Sequence, residues 1–230
     1  MQSYVNEGMI RRNNRIGTFL TVVGIALLIG AVVLALTVQA IFNITLMVSF
    51  AGLVISQIGN TQRSRWGKHP RMDEIIDDAL KGLDERYSLF HYLLGASHAL
   101  VTPSGIYALC TTAVEGSISF QKGKWWRERP ARRGGAPRRQ SLTEPGSQTA
   151  GEAQRVDREL RRRLGRDEVP KAEAILVFVH PAAELNADEA PFTSVHAKKL
   201  KHHLRSLPKA KTLSSSDVAA VVEALGLSSA

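Results

Sequence analysis

Cysteine is almost missing from this chain: Cys110 is the only one among 230 residues. No internal disulfide can form, which is compatible with a reducing compartment. There is no internal repeat, no Gly-rich phosphate loop and no Gly-x-Ser-x-Gly elbow, so repeat architectures, the common nucleotide-binding loops and hydrolases of that type are set aside. The most informative shortage is of charge. Residues 16–62 contain no Asp, Glu, Lys, Arg or His. This 47-residue run is about two bilayer crossings long at roughly 20 helical residues each, so a wholly soluble protein is not expected. The missing ionisable groups also argue against an ion pathway or proton relay, and therefore against a transporter or channel.

The run reads as a transmembrane helical hairpin with spans over about 16–36 and 41–58. Gln39 and Asn43 mark the turn between them. Lipid-exposed backbone must satisfy its own hydrogen bonds, which makes both spans helical. Arg11, Arg12 and Arg15 precede the first span, and Arg63, Arg65, Lys68 and Arg71 follow the second. By the positive-inside rule both termini are cytoplasmic and the location is the cell membrane. A cleavable signal peptide ending at Val38-Gln-Ala40 is the competing reading. It is disfavoured because the apolar stretch is too long and a second one follows at once. Ala26/Gly30 and Gly52/Ser56 are small-xxx-small pairs that would let helices approach closely, within the hairpin or in an oligomer.

Residues 63–212 then read as one cytoplasmic α+β domain, preceded by a cytoplasmic N-terminal segment (1–15) and followed by a tail (213–230). A helix is predicted from Met72 to Gly82, with acids in its first turns. A strand follows over 87–94, and strands over 98–102 and 106–111 flank the turn Pro103-Ser-Gly105. A short strand over 117–120 leads to Trp125 and Trp126. Residues 127–151, rich in Arg, Pro, Gly and Ser, read as a mobile loop. Helical periodicity resumes over 152–164, and 174–179 is an apolar run suited to a buried strand. A short strand at 192–195, a basic helix at 197–207 and a last helix at 217–225, capped by Ser216, complete the pattern.

Net charge is +9 and the isoelectric point about 10.0, which favours anionic partners. Eight Lys or Arg residues fall between 122 and 139 against the single acid Glu128, with Trp125 and Trp126 interleaved. Lys198, Lys199, Lys201, Arg205, Lys209 and Lys211 form a second cluster. Candidate anion contacts are Lys122, Lys124, Arg127, Arg129, Arg132, Arg133, Lys198, Lys199 and Lys201. Three readings stay open: anionic lipid headgroups, nucleic acid with tryptophan stacking on a base, and a plain solvated face. Adjacent His202 and His203 point about 100° apart on a helix, which is poor geometry for one metal ion. Cys110 reads as a small core residue rather than a nucleophile.

The segment Ser97-His-Ala-Leu-Val-Thr-Pro-Ser-Gly-Ile-Tyr-Ala-Leu-Cys-Thr-Thr112 resembles the centre of the NERD (nuclease-related domain) family, with Gly116 and Trp125 placed as in that family. Arg11-Arg-Asn-Asn-Arg-Ile-Gly17, Leu83-Asp-Glu-Arg-Tyr-Ser-Leu-Phe-His-Tyr92 and Val195-His-Ala-Lys-Lys-Leu-Lys201 add to the likeness, which is to membrane-anchored bacterial members. The resemblance implies a restriction-endonuclease-like fold. It also implies a metal-dependent centre in which two carboxylates hold Mg²⁺ and a lysine assists. Here the Asp position falls on Ser97, the Glu position on Cys110 and the Lys position on Thr112. None supplies the charge, so the expectation is a degenerate centre with no catalytic residues and no cofactor, in a domain that binds or scaffolds. The alternative is a rearranged Mg²⁺-dependent nuclease drawing on Glu115, with His98, Lys122 and Lys124 nearby.

Overall fold

The computed structural model describes residues 1–37, 42–129, 138–142 and 145–227. The chain forms two compact units, residues 6–71 and residues 1–5 with 72–230.

The smaller unit is a helical hairpin. Helix α1, Glu7–Thr37, is 31 residues long, or about 46 Å, and α2 is Phe42–Trp66. Asn6 caps α1 by accepting the Met9 N–H at 2.9 Å. Both helices are long and apolar enough to cross a membrane. The buried residues of α1 are Ile10, Gly17, Gly24 and Ala31, seven apart, and those of α2 are Thr45, Gly52, Gly59 and Trp66, again seven apart. A seven-residue interval is two turns, so each set forms one seam. Small seam residues bring the backbones into contact. A Cβ on Gly24 would overlap the Ser56 nitrogen, one on Gly59 would overlap the Thr21 nitrogen, and one on Gly17 would lie 2.7 Å from the Arg63 nitrogen. Polar side chains inside the helices bond back to their own carbonyls, Thr21 to Gly17 and Ser49 to Thr45. Every large apolar side chain that is exposed among the described residues lies on this hairpin, from Ile16 to Ile58. Small inside and large apolar outside is the reverse of a water-soluble helix pair, and it suits a lipid surround.

The structure corrects one small-residue pair. Ala26 and Gly30 face outward, and a Cβ on Gly30 meets nothing, whereas Gly52 and Ser56 do line the contact. The centre of the expected turn, with Gln39 and the Val38–Ala40 cleavage-like site, lies outside the described residues.

The larger unit is built on a six-stranded sheet ordered β1-β2-β3-β4-β8-β10. Its strands are β1 (Gln2–Val5), β2 (Ser88–His91), β3 (His98–Thr102), β4 (Gly105–Thr112), β8 (Ala172–Phe178) and β10 (Thr193–His196). Only β3 runs against the others. Central strand β4 is apolar on both sides because both are covered. Tyr107 and Leu109 meet α3 (Met72–Leu80) and α5 (Ala197–Ser206) through Ile76, Leu80, Leu200 and Leu204. Ile106 and Ala108 meet α4 (Pro145–Leu164) and α6 (Ser215–Ala224) through Val156, Leu160, Val221 and Val222. The result is an α+β unit with helices on both faces of the main sheet. A second sheet, ordered β7-β6-β5-β9, comprises β5 (Gly116–Gln121), β6 (Lys124–Arg129), β7 (Arg138–Leu142) and β9 (Ala183–Asn186). It packs Ile118 and Trp125 on Cys110, Leu176 and Phe178.

Three sequence expectations change here. The N-terminal segment is no mere lead-in: β1 pairs in parallel with β2, Gln2 opposite Ser88 and Val5 opposite His91. The expected loop at 127–151 contains the end of β6, all of β7 and the first turns of α4, with 130–137 and 143–144 outside the described residues. Its polar composition hid strands that present only one apolar side, and Arg139 stacks on Trp126 at 4.3 Å from the ring centre on the other. The last helix is capped by Ser214, not Ser216, in a reciprocal box with Asp217.

The glycine seam yields a paired prediction. Gly24→Val and Gly59→Val should each weaken the hairpin by about 1–3 kcal/mol, because backbone must move to admit the side chain. Gly30→Val, in open space, should leave it unchanged. Hairpin unfolding in bicelles, measured by steric trapping, reads the difference.

Candidate functional site

Strands β1, β2, β4, β8 and β10 all run the same way, so their carboxyl ends, at Val5, His91, Thr112, Phe178 and His196, line one edge of the sheet. The start of β3 joins them. That edge is where open α/β sheets place ligands. Each face of the sheet carries a buried polar cluster there.

On the α3 face, His91 and His98 are opposed across β2 and β3, both fully buried, with their Nδ1 atoms 2.6 Å apart. Such a contact needs one proton between two nitrogens. His91 Nε2 lies 3.3 Å from Asp77 Oδ1, and Asp77 accepts the Ser3 hydroxyl at 2.7 Å. With a neutral His91 donating to Asp77, its Nδ1 is the acceptor and His98 Nδ1–H the donor. Burial pushes the Asp77 carboxyl up, but the bonds from His91 and Ser3 outweigh it and hold the group below its ordinary range. Tyr92 closes the β2–β3 loop at φ +59, an uncommon conformation for a bulky residue. Its N–H bonds to the Ser97 carbonyl, and its hydroxyl reaches Asp73 at 3.4 Å. The chain Ser3–Asp77–His91–His98 thus fastens β1 to the sheet.

On the α4 face, Ser97, just before β3, and Cys110, on β4, both lie near Glu152. Glu152 fills the space beside them. It accepts the Ser97 hydroxyl at 3.0 Å and the Ser97 N–H at 3.3 Å, and Arg155 stands 3.8 Å away. Burial pushes the Cys110 thiol up, against a hydrogen bond with Thr149, while the nearby Glu152 charge raises it further. A raised thiol with 5% exposure is not an activated nucleophile. Thr112 lies two residues on from Cys110, paired with Phe178 at the end of β4.

Glu115, the acid that a rearranged metal centre would draw on, is otherwise engaged. Its carboxylate pairs with Arg127 at 3.1 Å and Arg129 at 3.3 Å, and His180 is 3.9 Å away. Two guanidiniums neutralise the charge a divalent ion would need. Among the described residues no group of three His, Cys, Asp or Glu could hold a metal ion.

The nine expected anion contacts divide. Arg127 and Arg129 are the Glu115 partners just described. Lys201 donates to the Lys81 carbonyl and its neighbour Arg205 to the Gly82 carbonyl, so both cap the end of α3. Lys122, at φ +52 in the β5–β6 turn, and Lys124 are exposed. Lys198 and Lys199 are exposed in the first turn of α5, beside a hollow of about 380 Å³ that also touches His196 and Asp188. Arg132 and Arg133 lie outside the described residues. A hollow of about 1130 Å³ lies at the opposite edge, between the amino ends of β1 and β2, the carboxyl end of β3 and helix α6, bounded by Gln2, Tyr4, Thr102, Leu213 and Val218.

No protein-family model, no curated protein and no solved structure matches the chain. Its reading therefore rests on the geometry.

Sequence reasoning missed Glu152, Thr149, Asp77 and His91. The strand register that pairs His91 with His98, and the helix position that sets Glu152 against Ser97, are tertiary facts with no local signature. Two predictions follow from these clusters. Glu152→Ala removes both bonds to the half-buried Ser97 and should cost about 1 kcal/mol in the denaturation of the full chain, with Glu152→Gln milder. A depressed carboxyl contributes stability above the ordinary carboxylate range and loses it as pH falls through the folded value. The protection of β1 amides against hydrogen exchange, relative to the free-peptide rate at each pH, should therefore fall on acidification below about pH 4, and Asp77→Asn should remove that dependence.

Proposed function

We propose that this chain is a two-span membrane protein with both ends in the cytoplasm. In this reading it carries a restriction-endonuclease-like, NERD-related domain that is catalytically silent and serves as a binding or scaffolding module. The observation that carries the silent reading is the Ser97–Glu152–Cys110 cluster. At the carboxyl end of β4, where the family resemblance puts metal-binding carboxylates, a serine and a buried thiol stand instead. Among the described residues the acid beside them, Glu152, accepts both the N–H and the hydroxyl of Ser97 and is faced by Arg155. Among the described residues such a site offers no open pair of carboxylates to a hard cation.

Support for the fold comes from the order α3, then β2-β3-β4 as an antiparallel meander, then α4 leading to β8 parallel to β4. Support for both ends lying on one side comes from β1. It precedes α1 yet is hydrogen-bonded to β2, which follows α2, and a bilayer cannot pass between paired strands. A cleaved leader would also remove a strand of the sheet. The cytoplasmic side is favoured by the arginines and lysine flanking the hairpin.

The full chain in detergent or nanodiscs, incubated with single- and double-stranded DNA and RNA in Mg²⁺ or Mn²⁺, should show no cleavage. Metal-dependent cleavage that Glu152→Gln or Glu115→Ala abolishes would sink the silent-domain reading in favour of a rearranged nuclease. Reporter fusions at the C-terminus should be active only in their cytoplasmic form.

A further inference from the structure

The hairpin carries a charged surface whose part in the proposed function is limited to orientation. Arg11, Arg12 and Arg15 on α1, and Arg63, Arg65 and Lys68 at and just beyond the end of α2, are all exposed. The antiparallel packing brings them to one end. Gly17 lies against the Arg63 backbone and Gly67 against Asn14, so the two basic segments stand at the same level along the hairpin. From Arg11 to Gly17 is about 9 Å of helix, and the six cations fall within a belt of about that height. Glu7 is the only acid in residues 6–71, and among the described residues of the unit none of the six is seen in an ion pair. Arg65 lies over the Trp66 ring at 5.2 Å, which fixes its direction. Immediately next to the belt begins the exposed apolar surface, with Ile16, Phe19 and Val22 on α1.

We infer that this belt is a docking surface for anionic phospholipid, the six cations engaging headgroup phosphates while the acyl chains lie along the apolar face of α1 and α2. Six uncompensated like charges repel one another, and multiple anionic partners relieve that repulsion. The partner must also be apolar within a few ångströms of its charge, because the belt adjoins a lipid-facing surface. A phospholipid meets both demands, and a nucleic acid meets only the first. The anionic contact is thereby assigned to the hairpin rather than to the Lys122–Arg139 or Lys198–Lys201 clusters. The inference rests on the two-span reading but not on the silent nuclease centre.

The test uses the full chain reconstituted into equimolar phosphatidylcholine and phosphatidylglycerol vesicles, with spin-labelled versions of each lipid reporting the motionally restricted fraction. Phosphatidylglycerol should be preferred about threefold or more at low salt, and the preference should shrink at high salt. The combined variant Arg11→Gln, Arg12→Gln, Arg63→Gln, Arg65→Gln should bring the ratio to about one, whereas lysine at the same four positions should retain it. Lys198→Gln with Lys199→Gln should also retain it. The inference is overturned if the unmodified chain shows no preference, or if the preference survives the four glutamines. It is equally overturned if the Lys198 and Lys199 changes remove the preference instead. Duplex DNA binding to the phosphatidylcholine-reconstituted chain that the four glutamines abolish would assign the belt to nucleic acid. Release of the chain from vesicles by alkaline extraction would be a different failure, that of the two-span reading itself.

Discussion

Four residues at the start of the chain govern its plan. Gln2–Val5 pair in parallel with Ser88–His91, so the sheet is already begun before the hairpin is made and is resumed after it. Everything between must leave the sheet and come back. That requirement suits two antiparallel helices. The pairing does not depend on backbone bonds alone, since Ser3 is tied to Asp77, Asp77 to His91 and His91 to His98. A polar chain at a sheet edge thereby carries a topological constraint on an apolar hairpin.

The hairpin is held by a different means. Its large apolar side chains face outward, so close backbone approach supplies the attraction between the two helices. Gly17, Gly24, Gly52 and Gly59 permit it by having no Cβ to interpose. The larger unit relies instead on burial from water. Its central strand β4 is covered on both faces, and its peripheral basic residues are largely spent on structure. Lys201 and Arg205 cap α3, Arg163 caps α6 through the Ala224 carbonyl, and Arg127 and Arg129 hold Glu115. A net charge of +9 therefore overstates the cations at liberty in the domain.

The two apolar helices, the antiparallel pair around Pro103-Ser-Gly105 and the buried run at β8 were legible in the sequence because each carries a local signal of period or turn chemistry. The region from Arg127 to Gly151 was not. Its strands bury one side only and its composition is that of a loop, so only pairing across β5, β6 and β7 reveals them. The small-residue seam was half legible: Gly52 and Ser56 line it, but the helix rotation that turns Ala26 and Gly30 outward is set by the partner helix.

The sequence by itself determined the hairpin and its basic flanks, because freedom from charge over 47 residues and the identity of the residues beside it are one-dimensional properties. It also determined that serine, cysteine and threonine stand at positions 97, 110 and 112. The tertiary structure alone decided that Glu152 closes over two of them, that Glu115 is committed to arginines and that β1 belongs to the sheet. It also decided that six cations from two distant segments share one belt. Each of these depends on which residues meet across space, and register, crossover and helix rotation are settled only when the units pack.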